Sequence, residues 1–387
     1  MTATHAPDDV VAIADQVRSA RARGSALRIV GAGTWLDAGR PCAGAERVNM
    51  GALTGIVTYE PGDLTLTAKA GTSLADIERM TAAEGQWLPL QPMGALGGTI
   101  GATVATASYG PLASAFGTPR DQVLGCEFVS GTGDVVRAGG RVVKNVAGFD
   151  LVRLAIGAWG TLGAITEVTV RLRARPESDH SHAVQLAVGE REESAAAVWR
   201  WLRSSEYTPF AAELISSSLA RALDVGADAC LLVRLGGNGT FVRAAEGDVS
   251  SLGGAQRTGA DLWQRLAMAE PTQSIVVRLS TLPSRLAALW ARASLAAERA
   301  GGYAHATMSR GVVRCVFPAP VDPAGESRLR ETMVELVTGC SAVGERLPAS
   351  MWNVLARARE TDALMRGVRR AFDPDGIVNA GILGDIA

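Results

Sequence analysis

Asp8 and Asp9 precede apolar residues at Val11, Ile13, Ala14 and Val17, and the pattern runs out at Arg21, Arg23 and Gly24. Acids at the start and bases with a glycine at the end suit the two poles of a helix, so a helix is predicted here. The period then shortens. "SALRIVGAG" reads as a short strand entering a glycine turn, and "IVTYEPGDLTLTAKAG" as strand, Pro-Gly turn and strand. Ser73-Leu-Ala-Asp76 starts a helix that runs to Gly85, with Ser73 and Asp76 at capping-box spacing. "QVLGCEFVSGTGDVVRAGG" predicts two strands about a turn at 131–134, and "GAITEVTVRLRARP" a further strand closing at Pro176.

Past Pro176 the polar run "RPESDHSH" reads as a hinge. It leads into "AVQLAVG", a helix around "EESAAAVWRWLRSS" and "ACLLVRLGG". The same order returns as "SIVVRLS", the helix "LPSRLAALWARASLAAERAGG" and "GVVRCVFP". Two strand-helix-strand units of similar size predict a second α+β domain on an antiparallel sheet, with an internal duplication as one origin. The tail offers one or two helices in "ESRLRETMVELV" and "DALMRGVRRAFDPDGIVNAGILG", the latter containing an Asp-Pro-Asp-Gly turn. The expected division is 1–175, 176–340 and a C-terminal segment 341–387.

At 387 residues the chain has room for two or three domains. A net charge of -1 and the lack of a dense Lys/Arg run argue against nucleic acid as a partner and favour a small or neutral one. The five cysteines are odd in number, widely spaced and without a C-x-x-C pair, so they read as free thiols in a reducing compartment. The N-terminal stretch lacks a basic region followed by an apolar core, which points to a cytoplasmic protein.

From Gly85 to Pro119 no Asp, Glu, Lys or Arg occurs, and "PMGALGGTIGATVATASYGP" within it is mostly Gly, Ala, Thr and Ser. A membrane span is disfavoured because glycine is a poor helix former, Pro89, Pro92 and Pro111 interrupt the run, and few large apolar residues would drive insertion. Two readings remain open. The small residues pack a crowded buried helix over Thr99 to Ala107, or they let backbone N–H groups approach an anion. A second glycine cluster, "LRIVGAGTW", also follows a strand. It fails the dinucleotide fingerprint, since Leu36 holds the third glycine position, and no Gly-Lys-Ser/Thr triplet supplies a P-loop. A different nucleotide cradle is the better expectation.

The segments "GGTIGATVATASYGP", "FGTPRDQVLGCEFVSGTGDVV" and "VVKNVAGFDLVRLAIGAWGTLGAITEVTVRL", in this order, resemble the FAD-binding domain of the vanillyl-alcohol oxidase class of flavoproteins, the PCMH-type fold. The resemblance covers roughly residues 10 to 175 and implies an α+β protein with an FAD-binding domain of two α/β subdomains. Within the class the chain is most similar to the FAD-binding subunits of bacterial glycolate oxidases. Its close, "FDPDGIVNAG", matches theirs except for Ala380, where proline is usual. The resemblance implies that Gly31, Ala32, Gly33 and Thr34 form one pyrophosphate loop, and Gly98, Thr99, Gly101 and Thr106 the other. It further implies that Gly117, Thr118, Arg120 and Asp121 lie beside flavin and pyrophosphate, with Arg120 offsetting phosphate charge. Gly160, Gly163 and Ile165 would line the adenosine half, and Asn379 would return to the flavin edge. A surface salt bridge between Arg120 and Asp121, and a plain turn at Asn379, are the structural alternatives. Members that bind flavin covalently use a histidine in the first loop. Thr34 and Trp35 stand there, which implies non-covalent FAD.

Related hydroxyacid dehydrogenases carry an H-x-G-D-G-N-x-H metal motif. Here "GGYAHATMSRGVVRCVF" keeps His305 alone, and only His5, His180 and His182 remain elsewhere, so no metal site is expected. His305 reads as structural. The expectation is therefore an FAD-binding subunit of a 2-hydroxyacid oxidase complex, acting with a second flavoprotein subunit and an iron-sulfur subunit. Two alternatives stay open. One is a self-sufficient oxidase using Arg278, Arg310, Glu213 or Tyr303, and the other a flavin-binding scaffold without turnover.

Overall fold

The N-terminal helix forms over Val10–Arg23, where the Asp9 carboxylate accepts the Ala12 amide at 2.7 Å and Gly24, at φ +65°, ends it. The computed structural model describes residues 9–94, 97–140, 149–186, 190–271, 273–352 and 363–383. Strand β1 (Leu27–Val30) pairs in parallel with β2 (Glu46–Asn49). Then come β3 (Ile56–Glu60), β4 (Thr65–Lys69), the short β5 (Gln86–Trp87), β6 (Val123–Ser130), β7 (Val135–Gly139) and β8 (Gly163–Arg171). All but β5 make an antiparallel five-stranded sheet in the order β3-β4-β8-β6-β7, while β5 pairs with β9 (Arg173–Ala174).

This first sheet is covered on both faces. The helix Ile100–Thr106 buries Ile100 and Val104 against Leu66, Ala68, Phe128 and Val168, and the N-terminal helix packs Ile13 and Val17 with Leu27, Val48 and Val129. The charge-free stretch thus contains a short buried helix. Among the described residues no helix is long and apolar enough to cross a membrane.

The second sheet has eight strands, β10 (Ser178–Leu186), β11 (Ala211–Ile215), β12 (Cys230–Gly237), β13 (Gly253–Arg257), β14 (Ile275–Ser280), β15 (Tyr303–Thr307), β16 (Val312–Phe317) and β17 (Ser341–Arg346). Their order is β13-β10-β12-β11-β15-β16-β14-β17, antiparallel throughout. Each half is a β-α-β-β-α-β unit with its fourth, first, third and second strands side by side, and the halves meet where β11 pairs β15. The repeated topology agrees with the expected duplication. Two expectations are corrected. The supposed hinge at "SDHSH" lies inside β10, and each unit has two strands that the strand-helix-strand reading missed. Three of the four, "AAELI", "GGAQR" and "YAHAT", are short and rich in Ala or Gly, which have low strand propensity.

Period-two alternation gives the second sheet two unlike faces. Ile275, Val277 and Leu279 of β14, Ala304 and Ala306 of β15, and Val313, Cys315 and Phe317 of β16 point into one core with Trp290 of the helix Leu286–Arg299. The intervening residues, among them Arg278, His305 and Arg314, turn to the other face. That face meets the first sheet's loops. Gly94 donates to Ala267 O at 2.7 Å, Gly39 to Glu345 O at 2.8 Å, and Arg310 Nε to Ala113 O at 2.9 Å.

Candidate active site

Strand β1 runs out into the loop Gly31–Thr34, which faces the helix Ile100–Thr106, the turn after Trp159 and the returning tail at Asn379. Between them lies an open cleft. Gly31, Ala32, Gly33 and Thr34 form one wall, Thr99, Gly101 and Thr106 a second, Gly160, Gly163 and Ile165 a third, and Asn379 closes the end. Four segments distant in sequence are brought to one place. Trp35 lines it too, as do Ala70, Trp159 and Ile382, which were not among the expected site residues.

The two glycine loops are not equivalent. Among the described residues, the amides of Ala32, Gly33 and Thr34 meet no protein acceptor, and Gly33 adopts φ +80°. In the second segment, Ile100 donates to Thr72 O and Gly101 to Ala70 O, both at 2.9 Å, and Ala102 donates to Thr99 Oγ1 at 3.3 Å. Its amides are spent on the protein. Gly101 is small for a packing reason, since an added Cβ would sit 2.6 Å from Ala70 Cβ, and one on Gly31 would sit 2.6 Å from Thr99 Oγ1. Close packing and ligand approach, the two open readings of the small residues, thus divide between the segments.

Gly98, Gly117, Thr118, Arg120 and Asp121 do not line this cleft. The carbonyl of Gly98 accepts from Leu74 at the start of the helix Leu74–Ala82. Asp121 Oδ2 accepts from the Thr118 amide at 2.8 Å and hydroxyl at 3.0 Å, and its cation is Arg310 at 3.9 Å, so the pair Arg120–Asp121 does not form. Arg120 is exposed.

Three residues beyond Thr106, Tyr109 lines a second, smaller cleft with Met93, Glu213, Arg278, His305 and Arg314. Arg314 is held by Glu270 and by Glu345 at 2.6 Å, and Arg346 joins Glu270 at 3.2 Å to Asp37 at 3.3 Å while lying over the Trp35 ring. Burial opposes ionisation of Glu270, yet Arg314 and Arg346 hold its carboxyl below the ordinary range. Burial, helped by the Glu270 charge, pushes the Tyr303 phenol up. Of the four residues named for a self-sufficient enzyme, Arg278 and Glu213 reach this cleft, and Arg310 and Tyr303 do not line it. Arg314, Tyr109, Glu270, Glu345 and Arg346 were missed. Arg314 alone had a signal, polarity at one position of the otherwise apolar strand "GVVRCVF", while Tyr109 and Glu270 lie outside strands and Glu345 and Arg346 end a polar one.

His180 and His182 share a face of β10, where both meet Glu246, at 2.8 and 3.2 Å. Among the described residues no group of three His, Cys, Asp or Glu is placed to share a metal ion.

An open cleft walled by loops of small residues, with a run of free amides after the first strand of an α+β chain, is suited to a phosphate-bearing cofactor. The FAD binding domain family matches residues 2–139. Glycolate oxidase subunit GlcE of Escherichia coli is 33% identical over 256 residues, 66% of this chain and 67% of that one. Glycolate oxidase subunit GlcD of Bacillus subtilis is 37% identical over 123 residues, covering 32% and 26%. A solved alkyldihydroxyacetonephosphate synthase superposes with a TM-score of 0.71 at 17% identity, over 96% of this chain and 76% of that one. The chain belongs to this family of FAD-binding flavoproteins and is an FAD-dependent oxidoreductase. The residues present fit the cofactor, because Ala32, Gly33 and Thr34 line an open cleft with amides that meet no acceptor among the described residues.

Proposed function

We propose that this chain is the FAD-binding subunit of a glycolate (2-hydroxyacid) oxidase or dehydrogenase complex. In that complex it passes electrons to a second flavoprotein subunit and on to an iron-sulfur subunit. The observation that carries the reading is the convergence of Gly31–Thr34, Thr99–Thr106, Gly160–Ile165 and Asn379 on one cleft. The likeness to a glycolate oxidase subunit over two thirds of that subunit's length supports the substrate class. The amides of Ala32, Gly33 and Thr34 bind the pyrophosphate, and the small residues of the other walls admit the rest of the cofactor without a clash. No histidine stands in the first loop, so the flavin is held without a covalent bond. Bound there, FAD supplies the hydride acceptor.

An iron-sulfur centre in such a complex would belong to a partner, since Cys126, Cys230 and Cys315 are buried singly and no group of three His, Cys, Asp or Glu comes together among the described residues.

The test is to reconstitute the chain with FAD, precipitate it with acid, and follow the flavin. Yellow supernatant and colourless pellet are expected. The holoprotein is then mixed anaerobically with glycolate or D-lactate, with and without co-purified partner subunits. Flavin bleaching in the complex supports the reading. A flavin that stays oxidised with every 2-hydroxyacid in the full complex would overturn it.

A further inference from the structure

On the face of the second sheet that meets the first, three charged or ionisable residues stand in one cross-strand row. Arg278 of β14 is opposite Arg314 of β16, and Arg314 is opposite His305 of β15. Such neighbours share a face and stand within about 5.5 Å between Cβ atoms. Glu213 enters from β11, paired beside β15, and its Oε1 lies 2.5 Å from His305 Nδ1 across 92 residues of chain. Glu213 is 0% exposed and His305 4%. The remaining ring nitrogen, Nε2, is buried, has no partner among the described residues and belongs to a residue lining the second cleft. Arg314 pairs closely with Glu270 and Glu345, whereas Arg278 has only Glu345, at 3.6 Å, and the Tyr109 ring among the described residues. The cleft thus offers one cation with donors to spare and one imidazole whose tautomer is set from behind.

We propose that this cleft is a metal-free substrate site in which Arg278 binds the carboxylate of a small 2-hydroxy acid and His305 Nε2 accepts its hydroxyl proton, with Glu213 as the positioning residue. The inference rests on the hydroxyacid reading above and gives that substrate a place on this chain. A carboxylate accepting from Nδ1–H leaves Nε2 as the acceptor, as a buried acid does for a general-base histidine. With FAD bound in the first cleft to supply the hydride acceptor, the substrate O–H bond would break with its proton going to His305, the C–H bond would break with its electron pair going to that acceptor, and the carbonyl π bond would form. The 2-oxo acid departs, and imidazolium returns its proton to solvent. Tyr109 closes the cleft three residues from Thr106, which lines the cofactor cleft, so the two sites adjoin along one stretch of chain.

The test uses the FAD-loaded chain and oxalate, an anion that binds without turnover. Calorimetry in two buffers of different ionisation heat reads the protons taken up. Wild type is expected to take up protons as oxalate binds, because an anion beside Nε2 favours the imidazolium. His305→Gln should bind oxalate without that uptake, and Arg278→Leu should bind it roughly tenfold or more weakly, as loss of a charge-assisted hydrogen bond does. Glu213→Gln should lower kcat with little change in KM. The FAD spectrum and melting temperature of each variant show that it has folded, and His305→Asn provides a second substitution. Uptake that persists in both His305 variants, or oxalate binding indifferent to Arg278, overturns the proposal. Flavin reduction by glycolate supplies the independent arm. His305→Gln is expected to slow it roughly 10²- to 10⁴-fold. If the variant is reduced at the wild-type rate, the site assignment fails and the hydroxyacid reading stands. If oxalate behaves as expected but no 2-hydroxy acid reduces the flavin, the cleft stands as an anion site, while His305 as proton acceptor falls with the hydroxyacid reading.

Discussion

Asn379 Oδ1 accepts the amide of Ile29 at 2.8 Å across 350 residues of chain, and its Nδ2 donates to Trp159 O at 2.7 Å. One side chain therefore ties the end of β1, the turn before Gly160 and the C-terminal tail around the cofactor cleft. Asparagine suits the place because it tolerates the left-handed φ of +45° found there. Asn379→Ala would leave an amide and a carbonyl without partners, at a cost of roughly 1–3 kcal/mol for each group that stays buried. Urea unfolding of the apo chain should show that loss, and FAD should elute from the variant on gel filtration under conditions where wild type keeps it. Unchanged stability with weakened FAD would instead mean that the amide acts on the cofactor directly.

Gly101 separates packing from ligand binding. An added Cβ would lie 2.6 Å from Ala70 Cβ and 2.8 Å from Ala70 O, and backbone cannot easily give way. Gly101→Ala should destabilise the chain by about 1–3 kcal/mol in the absence of FAD, as overpacking does. Thermal unfolding of the apo protein measures this. If the apo variant melts with wild type, the glycine is there for the cofactor alone.

These two residues also mark how far the sequence could be read. The capped N-terminal helix, the β3–β4 and β6–β7 hairpins and the glycine loop after β1 were legible because short-range signals specify them: caps, turn glycines and alternating apolar residues. The cofactor cleft was legible through motifs kept in order along the chain. What escaped was long-range. Nothing near Asn379 in sequence names Ile29 as its partner, and nothing near His305 names Glu213. Arg120, which the resemblance sets beside the phosphates, is exposed outside the cleft here, and the turn that sets its direction depends on the Asp121–Thr118 cap.

The guanidinium-carboxylate lattice between the sheets should set the acid limit of stability. The Glu270 carboxyl is held below its ordinary value in the fold, so it binds protons less readily than in the unfolded chain. Its stabilising contribution is full above the unfolded carboxyl value, about 4.3, and is lost as pH falls from there through the folded one. Glu270→Gln should be less stable at neutral pH, by roughly 3–5 kcal/mol, because it leaves Arg314 and Arg346 short of charge. It should also lose stability less steeply than wild type below pH 4.3. Urea midpoints collected between neutrality and acid give both quantities. Parallel acid limbs in the two proteins would remove Glu270 from the account.

Arg120 offers the sharpest contrast between motif and placement. The resemblance implies a guanidinium at the phosphates, yet the side chain is exposed and outside the cofactor cleft, and the neighbouring carboxylate turns to Thr118 and Arg310 instead. A surface residue away from the site changes free energies by about 0.5 kcal/mol or less, so Arg120→Ala should shift the Kd for FAD by no more than about twofold. Asp121→Ala removes the cap that accepts two Thr118 donors and should cost about 0.5–2 kcal/mol of stability. Quenching of flavin fluorescence on titration into the apo chain gives the first value, and thermal unfolding the second. A tenfold rise in Kd for Arg120→Ala would mean that the segment 117–121 swings towards the pyrophosphate when FAD binds, and that Arg310 releases Asp121 as it does so.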